Sequence, residues 1–324
     1  MGSGVGGVRA GEIRLIMKVG RERILVSGVD HLSRQSTAKL KETSMKPRDY
    51  QQEAVDVLSE AIDSYDPSHV FGLFSGGHDS LCACHVASRH PRFTGCIHIN
   101  TGIGIEETRQ FVRDTCKQYE WSLKEYEPPV SYEQLVVEQG FPGPAHHWKM
   151  YHRLKERCLR ELLRDTASPK NRRRKLVFVS GRRKQESQRR MVTVDSAIVT
   201  GEKNPSPRIV WANPLINWTG SDKDRYIREH SLPRNRVVQL MCMSGECLCG
   251  AFAHEGELNE IRLHYPKAAA EIDRIAAEVK KAGKHCVWGT APPGKKNKPD
   301  SRQMELPLCF SCTTKFESGI NETA

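Results

Sequence analysis

From Arg48 onward, apolar residues fall at helical spacing: Tyr50, Ala54, Val57, Leu58 and Ala61 recur every three or four positions and predict an amphipathic helix. The pattern then changes. HVFGLFS (69–75) is a short apolar run bounded by turn residues and predicts a strand, Ser80 to His90 a helix, and GCIHIN (95–100) a second strand. Phe111, Val112 and Cys116 mark one face of a predicted helix from Glu106 to Tyr119. Ser122 to Tyr126 reads as a third strand, Tyr132 to Glu138 as a short helix, and Trp148 to Leu163 as a long helix after the turn-rich GFPGPAHH. KLVFVSG (175–181) and IVWANPL (209–215) complete the strands. Strands alternating with helices predict an α/β fold: a mostly parallel sheet with helices on both faces, whose ligands bind beyond the carboxyl ends of the strands.

Two stretches stand outside this alternation. Residues 1–44 read as an N-terminal extension, with a Gly-rich disordered start and a possible hairpin around Gly20-Arg21; Met45 is an alternative start. Residues 45–240 form the main α/β domain. Residues 241–324 form a cysteine-rich C-terminal module with helices at Glu257–Tyr265 and Lys267–Lys281 and a flexible linker near 289–301. No internal repeat is evident.

Composition narrows the partners. No run approaches the roughly 18 apolar residues that cross a bilayer, so no membrane partner is expected. The N-terminus lacks a continuous apolar segment of the secretory type, which predicts a cytoplasmic protein. The net charge of +11, from 50 Lys and Arg against 39 Asp and Glu, favours a polyanion, either nucleotide phosphates or a nucleic acid; a solvated basic surface is the plain alternative. The run KNRRRK (170–175) carries the same two readings, a nucleic-acid backbone contact or a solvated loop.

The sharpest chemical signal is Ser75-Gly76-Gly77-His78-Asp79-Ser80 between a predicted strand and a predicted helix. Glycines let the backbone turn tightly and aim N–H groups at a phosphate, helped by the helix N-terminus. Ser75 and Ser80 add hydroxyls, and Asp79 can cap the helix or hold Mg²⁺. His78 occupies the variable slot and is assigned no chemistry. This string resembles the pyrophosphate loop of the adenine-nucleotide α-hydrolases, the N-type ATP pyrophosphatases, and within them the phosphoadenylyl-sulfate (PAPS) reductase family. Three further stretches carry the resemblance. HINTGIGIEET (98–108) is similar to the second-strand motif, and SGRRKQESQRR (180–190) to G-x-R-x-x-E-S-x-x-R, placing Gly181, Arg183, Glu186, Ser187 and Arg190 on matched positions. NPLINWTGSDKDRYIREHSLP (213–233) is similar to P-L-x-x-W-x-x-x-D-x-x-x-Y-I-x-x-x-x-L-P. The resemblance implies binding of ATP or an adenylyl-sulfate nucleotide, with Asp79, Arg183 and Arg190 as catalytic candidates and Arg183 and Arg190 clamping phosphate or sulfate. A surface salt bridge to Glu186 is the structural alternative for these arginines.

The chain departs from the reductases of that family. It has no cysteine after Cys312, and Met150 and Tyr151 stand where cluster-containing reductases carry a Cys-Cys pair. Its own cysteines are distributed differently. Of 11, Cys82, Cys84, Cys96, Cys116, Cys158 and Cys286 read as buried small hydrophobes. Cys242, Cys247, Cys249, Cys309 and Cys312 form two groups, offering five thiolates for a tetrahedral Zn²⁺ or a [4Fe–4S] cluster. The C-x-C half leans towards iron–sulfur, with Cys247, Cys249, Cys309 and Cys312 as the preferred set and Cys242 as substitute. Buried structural thiols or a redox disulfide are the alternatives. The arrangement resembles the ATP pyrophosphatases of DNA phosphorothioation systems. That likeness implies ATP-dependent adenylation coupled to sulfur transfer, with a cysteine desulfurase as donor partner and DNA as a possible acceptor. A sulfonucleotide reductase with relocated cysteines and a non-catalytic nucleotide sensor are the other readings. His146 and His147 border the expected cleft with packing roles, and the five tryptophans read as core or edge aromatics.

Overall fold

The computed structural model describes residues 48–171, 173–186, 196–200 and 206–291. The predicted N-terminal hairpin, Ser187, Arg190, most of the predicted linker, Cys309 and Cys312 lie outside the described residues.

Helix α1 (Tyr50–Tyr65) starts where Asp49 accepts hydrogen bonds from the Gln51 and Gln52 amides, and it buries Tyr50, Ala54, Leu58, Ala61 and Ile62, close to the predicted stripe. The chain then lays down β1 (His69–Leu73), α2 (His78–Ser88), β2 (Phe93–Ile99), α3 (Glu106–Gln118), β3 (Leu123–Tyr126) and α4 (Tyr132–Gln139). The predicted long helix follows in three pieces: α5 (His147–Tyr151), a π-helical turn (His152–Glu156) and α6 (Arg157–Asp165). Next come β4 (Leu176–Val179), β5 (Ile198–Thr200), β6 (Ile209–Ala212), α7 (Gly220–Glu229) and α8 (Arg236–Met241), then α9 (Glu257–His264) and α10 (Pro266–Lys281).

The six strands form one sheet in the order β3-β2-β1-β4-β6-β5. Every pairing is parallel except β5 against β6, which is antiparallel. Strand β5 escaped prediction because it is three residues long and incompletely buried, so it leaves no apolar run. Strands β4 and β6 are buried at every position, as parallel strands covered on both faces must be. Their alternate residues serve two cores. Val70, Val177, Val179 and Val210 pack with α1, α2 and α7 on one face. Phe71, Ile97, Phe178 and Trp211 pack with Cys158, Leu159 and Leu162 of α6 on the other.

A third core gathers α4, α8, α9 and α10 around the 242–250 segment, with Leu135, Phe141, Val237, Ile261, Ile272 and Trp288 inside it. Trp218 donates from its indole N–H to the Tyr50 carbonyl at 2.9 Å and packs against Tyr226, while Asp222 forms a capping box with Thr219 at the start of α7. The W-x-x-x-D-x-x-x-Y residues therefore hold α1 and α7 to the sheet rather than face a ligand.

Trp148, on α5, is 51% exposed and is an edge rather than a core aromatic. One expectation fails here. Cys286 is only partly buried, unlike the other five scattered cysteines, and packs at the edge of the third core. Among the described residues, no helix is long and apolar enough to cross a membrane.

Candidate functional site

Strand β1 ends at the middle of the sheet and hands the chain to Phe74, Ser75, Gly76 and Gly77 before α2 begins. Gly76 has φ of +78°, and a Cβ there would lie 2.5 Å from the Thr108 methyl, so both backbone and space demand glycine. Gly77 differs from expectation: it is extended, with φ of −76°, and a Cβ would meet nothing closer than 3.6 Å. Its value is a bare mouth to the loop rather than a turn. Gly77 caps α2 without any side-chain hydrogen bond, leaving first-turn amides without a side-chain cap at the edge of the cleft. The Ser75 hydroxyl donates to Ser80 Oγ at 3.1 Å, and Ser80 to the Gly77 carbonyl at 2.8 Å, so the two serines brace the loop.

Asp79 does not cap the helix. Its carboxylate lies in the fork of Arg183, at 2.6 Å from Nε and 3.2 Å from Nη2, and the arginine side chain is 7% exposed. Both Asp79 oxygens are thus engaged by a guanidinium, which does not suit the Mg²⁺ role expected of it. Arg183 thus makes a salt bridge with Asp79, where the alternative reading of the arginines placed one with Glu186. Gly181, one residue after Ser180, packs against the start of α2 so closely that a Cβ would lie 2.5 Å from Asp79 backbone atoms and 2.6 Å from the Ser80 nitrogen.

These parts line a cleft of about 520 Å³ at the carboxyl ends of the strands. Its phosphate-loop end carries Ser75, Gly77, His78, Asp79, Lys223 and Arg234, and its other end is walled by Leu73, Ile97, Ile99, Leu159 and Trp211. Five cations and three carboxylates line it. Arg183 is neutralised by Asp79 and Lys155 by Glu246, the latter pair at 3.1 Å. Lys223 and Arg234 share Asp224 at 3.6 and 4.0 Å, too long for tight pairing, so the loop end keeps surplus positive charge. Burial, with Lys223 and Arg234 nearby, pulls His78 down to about 4, which keeps its imidazole neutral at physiological pH.

Sequence reasoning missed several of these residues. Lys223 sits on a position its motif leaves open, Arg234 lies just beyond the L-P pair that ends the motif, and His78 lines the cleft although its slot is variable. Asn235 was also unmarked. Its side-chain N–H₂ donates to the Gly76 carbonyl at 2.9 Å and to Thr108 Oγ1 at 3.3 Å, while Thr108 donates to the Ser244 carbonyl at 2.5 Å. The only forewarning was the Asn's place two residues after the L-P pair that ends the last motif. This chain of bonds ties the phosphate loop to α3 and to the cysteine segment.

Cys242 is exposed, ends α8 in the left-handed conformation with φ of 54°, and lines the large cleft. Cys247 and Cys249 are half-buried and line a separate, smaller cavity of about 70 Å³ with His147, Met150, Leu154 and Phe252. Tyr151, Lys155, Met243, Ser244 and Glu246 line both spaces, so one wall divides them. The segment is held by the Leu248 amide to the Ile103 carbonyl at 2.8 Å, and by Trp288 Nε1 and Tyr132 Oη to the Leu248 and Cys249 carbonyls at 2.9 Å each. A hydrogen bond with Cys249 pulls the Cys247 thiol below the ordinary cysteine value. Two neighbouring thiols fit half of a four-thiolate site. Among the described residues no group of three or more His, Cys, Asp or Glu is arranged to hold a metal ion.

Residues 69–246 match the model of the phosphoadenosine phosphosulfate reductase domain. Adenosine 5′-phosphosulfate reductase 2 of Bacillus subtilis (strain 168) is 25% identical over 188 residues, covering 56% of this chain and 72% of the relative. Among solved structures, the phosphate complex of phosphoadenylyl-sulfate reductase from Candida auris aligns with a TM-score of 0.44 at 22% identity, covering 58% of this chain and 84% of that one. The U34-tRNA thiolase NcsA from Methanococcus maripaludis, with its [4Fe-4S] cluster, aligns with a TM-score of 0.41 at 12% identity, covering 82% of this chain and 86% of that one.

Proposed function

The chain belongs to the phosphoadenosine phosphosulfate reductase domain family, and from that membership and the cleft's geometry we propose that it binds ATP, cleaves it between the α- and β-phosphates, and couples this to sulfur transfer. The observation that carries the reading is the single wall shared by the phosphate-loop cleft and the cavity lined by Cys247 and Cys249.

The residues divide the work. The apolar end, with Leu73, Ile99 and Leu159, takes the adenine. Amides at the start of α2 and the hydroxyls of Ser75 and Ser80 receive the polyphosphate, and Lys223 and Arg234 offset its charge. Arg183, fixed by Asp79, holds the loop and the β4 end together; Glu186 lines the cleft beside it, and Arg190 is the second phosphate clamp implied by its motif. An acceptor oxygen attacks the α-phosphate, its bond to the bridging oxygen breaks, and pyrophosphate leaves; a sulfur nucleophile then displaces AMP from the acceptor. Cys247 and Cys249, with Cys309 and Cys312, would hold a [4Fe–4S] cluster, whose chemistry would be to bind or relay sulfur. A cysteine desulfurase is the fitting sulfur donor, and DNA phosphate is the acceptor we favour for the basic chain. The setting is the cytoplasm.

A second reading is favoured by Cys242, whose exposed thiol lines the nucleotide cleft. A thiol there is placed as a sulfonucleotide reductase would need it, although the usual reductase positions lack cysteine. Product analysis separates the two. Incubation with ATP, a desulfurase, cysteine and duplex DNA should give AMP and pyrophosphate, whereas adenylyl sulfate with a thiol reductant should give no sulfite. Sulfite release that disappears in Cys242→Ser, without pyrophosphate from ATP, would replace the first reading with the second.

A charge prediction follows from the loop end. Lys223→Ala with Arg234→Ala should weaken ATP and pyrophosphate binding by about 10- to 100-fold, the scale of losing charge-assisted contacts. AMP affinity should change by less than about threefold, since AMP leaves that end empty. Calorimetric titration of the three ligands checks this; equal losses for ATP and AMP would remove the two side chains from the polyphosphate end.

A further inference from the structure

The helical stretch that walls the cleft has a second side. From α5 through the π-turn to α6, Tyr151, Lys155 and Leu159 line the cleft, and Met150, Leu154, Cys158 and Leu162 are buried. Lys149, Arg153, Arg157 and Arg164 follow at steps of four, four and seven residues, which groups them on the side away from those rows. The charge here is out of proportion to the chain. Residues 148–175 carry eleven Lys and Arg against three Asp and Glu, a net of +8 out of +11 for the whole protein. The acids do not offset it. Glu156 is buried and held by Arg160 at 2.6 Å and His152 at 2.8 Å, and Asp165 accepts from the Tyr126 hydroxyl at 2.8 Å. Among the described residues no ion pair reaches Glu161, Lys149, Arg153, Arg157, Arg164, Lys170 or Arg173, whereas Lys155 pairs with Glu246 and Arg174 with Asp66. Arg208 donates to the Leu163 and Asn171 carbonyls at 3.4 and 3.5 Å, which holds the turn bearing Lys170 and Arg173 against the end of α6.

We propose that this outward row of α5 and α6, continued by Lys170 and Arg173, is a docking surface for the phosphate backbone of a DNA duplex. It rests on reading DNA as the sulfur acceptor. Among the described residues from 148 to 175, Trp148 is the only large apolar side chain that is exposed. A protein or membrane partner needs apolar anchors within its contact surface, whereas a polyphosphodiester needs only placed cations. From Lys149 to Arg164 the row is about 23 Å long at about 1.5 Å per residue, the length of roughly seven base pairs at about 3.4 Å each. The nucleotide cleft lies on the inner side of the same helices, about 10 Å away, one helix diameter. The row thus supplies charge outside the nucleotide site with which to hold a polymer beside it.

The test is fluorescence anisotropy of a short labelled DNA duplex titrated with the full chain over a salt series, with thermal melts to verify folding. A triple variant, Lys149→Ala with Arg153→Ala and Arg157→Ala, should bind the duplex about 10-fold more weakly or worse. Its plot of log affinity against log salt should be shallower by about 2.7, three lost phosphate contacts at about 0.9 each. Arg164→Ala with Arg173→Ala, which alters exposed side chains only, repeats the test with an expected drop of about 1.8. A control triple, Lys117→Ala with Lys280→Ala and Lys284→Ala, removes the same charge elsewhere and should leave duplex affinity within about twofold. The inference is overturned if wild type does not bind the duplex, or if the control weakens binding as much as the row variants. It is also overturned if duplex RNA or polyglutamate displaces the probe at lower concentration than unlabelled DNA. ATP affinity should stay within about twofold in every variant. Failure of the wild type to release pyrophosphate from ATP would instead sink the proposed chemistry and leave the duplex titration standing.

Discussion

Gly181→Ala should abolish ATP turnover, lowering pyrophosphate release by at least about 100-fold, the penalty that ångström-scale misplacement of a reacting group commonly carries. The added methyl would lie 2.5 Å from the carbonyl of Asp79 and 2.6 Å from the Ser80 nitrogen. Both are backbone atoms at the first turn of α2, so no side chain can swing aside. Relief requires the β4 end and the start of α2 to separate, which turns the first-turn amides away from the cleft and pulls Arg183 from Asp79. Overpacking of this kind costs about 1–3 kcal/mol, which a domain of this size survives. Thermal melting should therefore show a folded, less stable variant without activity. Wild-type turnover in Gly181→Ala would contradict the geometry. Asp79→Ala is a poorer probe, because it strands Arg183, with its side chain 7% exposed, without its ion-pair partner. Breaking a buried pair costs about 3–5 kcal/mol, and the 23% exposure of Asp79 moderates it only in part. Lost folding would then be mistaken for lost catalysis.

Cys247→Ser should remove the iron. Anaerobically purified wild type is expected to be brown with about four irons and four sulfides per chain, and the variant colourless. Cys242→Ser should keep its colour, because Cys242 is exposed on the large cleft while Cys247 and Cys249 share the smaller cavity. Cys312→Ser should behave as Cys247→Ser does. Metal and sulfide analysis reads all four proteins directly. One zinc per colourless wild-type chain, or bleaching by Cys242→Ser alone, would overturn this ligand set.

How far the sequence could carry these arguments depends on the kind of residue. The apolar runs at 69–75, 175–181 and 209–215 mark buried parallel strands because both faces must be covered, and the structure has β1, β4 and β6 inside them. The phosphate-loop string was legible because Gly76 is fixed by backbone conformation. By contrast, Lys223 and Arg234 line the cleft only because of where the fold brings them. Nothing in their neighbours along the chain distinguishes them from other surface cations. The Asp79–Arg183 pair spans 104 residues, and the Asn235–Gly76 bond 159, so only the closed sheet shows that they meet. The segment near Cys247 was legible as a thiol group, but its wall shared with the nucleotide cleft is a property of packing. Trp218, Asp222 and Tyr226 teach the converse: a motif stretch can be a scaffold, with its open position, Lys223, lining the cleft.

The most direct test of the account is a calorimetric titration of the wild-type chain with ATP, repeated in the presence of excess pyrophosphate. Seating of the polyphosphate at the start of α2 predicts one ATP per chain and displacement by pyrophosphate, with Gly181→Ala binding neither. No ATP binding, or ATP binding that pyrophosphate leaves untouched, would contradict it.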